Sequence, residues 1–200
     1  GNIEARATGI GRTAGTVVVN SFGSSLNVGN IDAAGINGAS GGIVNLTGRN
    51  LVSFGSATAT STGITGINVS GEAAAGRVLV GSAGYITSGF AISGQSVLGD
   101  GASVNVVAGG RNVATGRSID LANIIVSGQN AGTVQVYAAD PTRGSINVGN
   151  IVGLSIGARG AGAAVAIAGL GAVSTGVILA GNTNASATSD AAGGSVFISG

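Results

Sequence analysis

The sequence predicts an all-β protein, a parallel β-helix (β-solenoid) of about seven three-strand rungs with roughly 30 residues per rung. Three observations carry this reading. Val and Ile number 41 against 9 Leu, and β-branched side chains fit the pleated surface of a strand better than a helix. Strong helix formers are scarce: there is no Lys or Met and there are two Glu, while 40 Gly are spread along the 200 residues. The third observation is a phrase, a small-residue pair followed by apolar-x-apolar, that returns seven times.

The first copy is Gly15-Thr16-Val17-Val18-Val19 and the second is Gly42-Ile43-Val44-Asn45-Leu46. Gly76-Arg77-Val78-Leu79-Val80 and Ala102-Ser103-Val104-Asn105-Val106 follow, then Gly132-Thr133-Val134-Gln135-Val136. Ala163-Ala164-Val165-Ala166-Ile167 and Gly194-Ser195-Val196-Phe197-Ile198 complete the series. With the first inward Val of each as anchor, the spacings are 27, 34, 26, 30, 31 and 31 residues. A β-sandwich also has short strands and regular turns, but its strands would not restart the same lap every ~30 residues.

Inside each interval two further apolar alternations follow the anchor. In the fourth unit they read Arg117-Ser118-Ile119-Asp120-Leu121 and Ile124-Ile125-Val126. In the fifth they read Ser145-Ile146-Asn147-Val148 and Leu154-Ser155-Ile156. Alternate side chains of a strand point to opposite faces, so Val134 and Val136 are expected inside and Gln135 outside. Gly and Asn at the corners are expected to supply positive φ. Residues 1–200 read as a single β-solenoid domain, a segment or subunit of a longer fibre.

Composition excludes several classes. Gly is a fifth of the chain, but with one Pro and no three-residue period it is not collagen. Leu, Ile, Val and Phe exceed a quarter of the residues and the net charge is +1, so the chain is not of the disordered class. Without Cys or His there is no disulfide framework and no thiolate or imidazole metal site. The sparse, balanced charge leaves no footprint for nucleic acid. Gly160 to Gly181 is uncharged and long enough to cross a bilayer, but its glycines, Ser174 and Thr175 and its place on the repeat make it buried β structure. Gly1 opens on no initiator and no secretory leader, so the chain reads as a processed product or an excised piece.

The phrases Gly42-Ile43-Val44-Asn45-Leu46-Thr47 and Gly194-Ser195-Val196-Phe197-Ile198-Ser199, with the Gly-Asn-Ile of Gly1-Asn2-Ile3, Gly29-Asn30-Ile31 and Gly149-Asn150-Ile151, carry a family likeness. Together they resemble the haemagglutinin-type repeats of filamentous-haemagglutinin-like secreted adhesins. The resemblance covers most of the chain and implies a right-handed parallel β-helix, secretion and a place at the cell surface. The family's amino-terminal secretion module is not recognisable in these residues, nor is an outer-membrane barrel.

The acidic residues that could carry chemistry are Glu4, Asp32, Glu72, Asp100, Asp120, Asp140 and Asp190. Counted from their anchors, Asp32 and Asp120 are nearly in phase, but three laps separate them by roughly 14 Å, too far for a glycosidase pair. No Lys or His offers a base. Gly99-Asp100-Gly101 is a single vague match to calcium-binding repeats, and the Gly-rich Gly160-Ala161-Gly162 lacks the Lys of a phosphate loop. The expectation is no enzyme, with no catalytic, metal or cofactor residues. Asn45, Asn68 and Asn184 fit the N-glycosylation pattern, which such a composition produces by chance. The Thr58-Ala59-Thr60-Ser61-Thr62 run invites an ice-binding reading, which the mixed outward row weakens.

That outward row is Val18, Asn45, Leu79, Asn105, Gln135, Ala166 and Phe197. Its apolar members, together with Ile3 and Ile198 near the ends, are the candidate assembly contacts: Val18, Leu79, Phe197, Ile198 and Ile3. With only 15 charged residues in 200, a lone monomer is poorly protected against association. The expected function is a structural, secreted, cell-surface β-solenoid that assembles with itself, head to tail or laterally, into a fibre, adhesin stalk or sheath. The alternatives are a surface-layer or carbohydrate-binding module with glycan partners and, behind it, a polysaccharide lyase or hydrolase or an ice-binding protein. No membrane span or nucleic-acid partner is expected.

Overall fold

The computed structural model describes residues 1–183 and 192–200. Among them every regular element is a strand, and all strand pairs are parallel. The seven anchors form one sheet, with strands Thr16–Ser21, Ile43–Gly48, Arg77–Ser82, Ser103–Ala108, Thr133–Ala138, Ala164–Ala168 and Ser195–Ser199 in that order. Val17 pairs with Val44, Val44 with Val78, and so on through Val104, Val134 and Val165 to Val196 without a slip.

A second sheet stacks Leu26–Val28, Leu51–Phe54, Tyr85–Ser88, Arg117–Leu121, Ser145–Val148 and Val173–Thr175. A third begins with Ile3–Glu4 and continues through Ile31–Asp32, Ile67–Asn68, Ile92–Ser93, Ile124–Ile125, Ile151–Ser155 and Ile178–Asn182. Each rung therefore runs anchor, second, third, and the chain is a β-solenoid.

The core lies between the three sheets and is built of aligned ladders. Val104, Val134 and Val165 are buried one above another, as are Val106, Val136 and Ile167. The third sheet contributes Ile31, Ile67, Ile92, Ile124 and Ile151, all fully buried. Each such side chain contributes about 1.5–3 kcal/mol on burial. Gln135 is exposed and Asn105 and Ala166 half-buried, so the alternation holds as predicted.

Two details differ from the expectation. The third strand of the fifth unit starts at Ile151, within the Gly-Asn-Ile phrase and three residues before Leu154. It does so because Ile151 is the residue that stacks on Ile124, while Leu154 faces out half-buried. Corner glycines also serve mostly for closeness and not for positive φ, which seven of the forty adopt. At Gly76 a Cβ would lie 1.8 Å from the Gly42 carbonyl oxygen, so the chain can turn there against the rung below only without a side chain. The uncharged stretch from Gly160 to Gly181 contains Ala164–Ala168 and Val173–Thr175 and begins Ile178–Asn182; no helix of the described residues is long and apolar enough to cross a membrane.

The Gly-Asn-Ile phrase marks the corner between the second and third sheets. There the Asn side-chain oxygen of one rung accepts the backbone N–H of the equivalent residue in the next. Asn2 accepts from Asn30 at 3.0 Å, Asn30 from Gly66 at 2.7 Å, Asn123 from Asn150 at 2.9 Å and Asn150 from Val177 at 2.9 Å. A Cβ on Gly176 would lie 2.3 Å from the Asn150 Oδ1, which explains a glycine before that corner.

Candidate functional site

At the carboxy-terminal end of the stack the core ladders stop in the open. Val165 and Ile167 are 2% and 0% exposed, whereas Val196 and Ile198, in register above them, are 48% and 46% exposed. The strand Ser195–Ser199 pairs on one edge, with Ala164–Ala168, and among the described residues no strand pairs with its other edge. The opposite end is better covered: Val17 and Leu26 are buried, and Ile3 is half-buried over Ile31.

The outer face of the anchor sheet holds Val18, Leu79 and Phe197 in one row, as the alternation requires. Val18 and Phe197 are exposed; Leu79 is half-buried between Asn45 and Asn105. The structure does not bring these three together, since they sit on the first, third and seventh strands. Sequence reasoning missed Val107 and Tyr137, two positions further along their strands on the same face. With Ala166, Ala168 and Phe197 they line a shallow trough of about 260 Å³. The same alternation, carried two residues further, would have found them.

The third sheet carries two of the acidic residues, Glu4 and Asp32, and here the expected geometry is corrected. Asp32 lies on the third sheet and Asp120 on the second, so the two are on different faces and never in phase. Counting from the anchors failed because the turns between strands differ in length. The register instead places Glu4 beside Asp32. Both are covered by residues 55–66, the connection that makes the 34-residue interval the longest. Ser61 donates to Glu4 through its N–H at 2.7 Å and its hydroxyl at 2.6 Å. The Ser61 hydroxyl, then its N–H, holds the Glu4 carboxyl below its ordinary range. Thr62 Oγ1 donates to Asp32 Oδ2 at 2.5 Å, Asn68 Nδ2 to Asp32 Oδ1 at 3.0 Å, and the Arg6 Nε lies 3.3 Å from Oδ2. Asp32 is thus a buried tie between rungs and a covering loop. The Thr run lies in that loop and not in a ladder of strands, and Thr60 is buried.

The remaining carboxylates are likewise engaged. Asp120 pairs with Arg117 at 2.7 Å and accepts from Asn147 at 2.7 Å. Asp100 accepts from Asn130 at 2.8 Å. Asp140, just past the strand Thr133–Ala138, accepts from the Thr142 N–H and hydroxyl. Burial opposes its ionisation, but the bonds from Thr142 and Gly144 and the nearby Arg111 outweigh it and hold the carboxyl below its ordinary range. Among the described residues no three carboxylates converge on a point that would hold a metal ion. Asp190 and Asn184 lie outside the described residues. Asn68 is engaged on both sides, donating to Asp32 and accepting from the Ser70 N–H, while Asn45 sits half-buried on the anchor face.

Beyond the covering loop the third face opens into a cleft of about 650 Å³, with Arg6 at one end and Ser70, Gln95 and Ser127 among its polar lining. No protein-family model, curated protein or solved structure matches the chain.

Proposed function

We propose that the chain is a structural building block of a secreted, cell-surface β-solenoid fibre, stalk or sheath that assembles with further copies of itself through the exposed strand Ser195–Ser199. The observation that carries this reading is the abrupt exposure of Val196 and Ile198 directly above buried Val165 and Ile167. A bare rung presents both apolar ladder residues and unpaired backbone groups, which is a template for another parallel strand. A rung of a second copy satisfies both at once. The likeness of the repeats to those of filamentous-haemagglutinin-like adhesins, and the scarcity of charge, agree with such a role. The engagement of Asp32, Asp100 and Asp120 in rung-to-rung bonds favours a scaffold over a polysaccharide-cleaving site.

The test is electron microscopy of the purified chain beside a Val196→Asp, Ile198→Asp variant. End-to-end particles that vanish in the variant are expected, because two carboxylates in the ladder cannot be buried under another rung. Single short rods in both preparations would overturn the reading.

A further inference from the structure

The outer face of the anchor sheet is broad and nearly free of charge. Twenty side chains and the bare Gly81 face outward from its seven strands, three positions per strand, and Arg77 is the single charged one. Val18, Ile43, Tyr137 and Phe197 are large apolar groups exposed on this face. Charge depletion with exposed aromatic residues marks the core of protein interfaces. Seven strands at ~4.8 Å and five residues at ~3.3 Å give a face of roughly 550 Å², so two copies would bury about 1,100 Å², within reach of a specific contact.

The relief of the face selects its partner. The carboxy-terminal half is hollow, with small Ala166 and Ala168 flooring the trough between Tyr137 and Phe197. The amino-terminal half is raised by Val18, Ile43, Asn45 and Thr47. From this complementarity we infer that two copies pair face to face through the anchor sheets as antiparallel rods, about a two-fold axis running along the central strand Ser103–Ala108.

Such an axis sets the first strand over the partner's seventh and the second over the partner's sixth. The partner's Asn45 and Thr47 then enter the trough over Ala166 and Ala168, and the partner's Val18 meets Phe197. Tyr137 comes over the partner's Gly81, where a side chain would have open space. Asn105 faces the partner's Asn105. The Arg77 of each copy meets an uncharged Thr133 and not another Arg. Parallel rods would put hollow on hollow, Ala166 against Ala166, and lose the contacts that close packing supplies. A lateral pair of this kind lets fibres bundle without using their ends. The pairing depends on the fibre reading for its purpose, but its test does not.

The test uses the end-blocked Val196→Asp, Ile198→Asp chain, so that only lateral contacts remain, and sedimentation equilibrium at high micromolar concentration. A dimer is expected. Ala166→Arg fills the trough with a charge and raises the dissociation constant by about tenfold or more, with the melting temperature of the dilute monomer unchanged. Gly81→Trp does the same from two strands away from Tyr137, a link that only the antiparallel pair makes. A monomeric end-blocked chain, or a dimer indifferent to either substitution, overturns the inference. Dimers of the blocked chain without end-to-end particles of the parent would refute the fibre reading and leave this one standing.

Discussion

Asn150 stands directly above Asn123, and its backbone N–H donates to the Asn123 side-chain oxygen at 2.9 Å. Its own side-chain oxygen repeats the move, accepting the Val177 N–H. Asn150→Ala removes that acceptor; Val177 is exposed, so water can replace it, and the expected loss is that of one net hydrogen bond, about 0.5–1.5 kcal/mol. Urea unfolding of Asn150→Ala against the parent checks this. A midpoint within error of the parent's would mean that the corner ladder is ornamental.

Val134 has Val104 below it and Val165 above it, and no exposed surface. Val134→Asp places a carboxylate in the aliphatic ladder with no partner, and a loss of at least ~4 kcal/mol is expected. Circular dichroism on heating reads the result. A variant that melts like the parent would show that the strand faces are assigned the wrong way round.

Asp32 and Asp120 give opposite expectations despite both being ion-paired. Asp32 is buried and holds Arg6, Thr62 and Asn68 together, so Asp32→Asn costs about 1–3 kcal/mol. Asp120 and Arg117 are both partly in solvent, and Asp120→Asn costs less than about 1 kcal/mol. Denaturant curves of the two variants rank them. Equal effects would remove the distinction between a buried tie and a surface pair.

Acid should find Asp140. Its folded-state carboxyl titrates below the ordinary value near 3.9, so the stabilisation is present above that pH and is lost as the pH falls through it toward the folded value. Asp140→Asn is therefore expected to flatten part of the fall in melting temperature below about pH 4. Parallel melting curves for variant and parent across that range would contradict the assignment.

The anchors were legible because each strand is five or six residues long and alternates cleanly, so seven Val or Val-like phrases carry the register from Val17 to Val196. The third sheet was harder to read. Several of its strands are two residues long, as at Ile92–Ser93, and two residues have no period. Ile151 hid inside a phrase that looked like a turn, and Leu154 took its place. The Glu4 and Asp32 neighbourhood was invisible for another reason. It depends on the register of two short strands and on a loop from the next rung, and neither distance along the chain nor residue type announces such a contact. The trough between Tyr137 and Phe197 needed no more than following a strand to its end.

The parallel stacking of the rungs has a mechanical side. Hydrogen bonds between rungs lie across the strands, and hence along the stack. Tension applied from end to end pulls each interface open in the direction of its bonds, one rung at a time, instead of shearing many at once. Each rung that peels away releases ~30 residues, or about 100 Å of slack at ~3.4 Å per residue. A filament of such laps would give under a tug in even increments and lengthen several-fold before it parted, much as a coiled tether pays out.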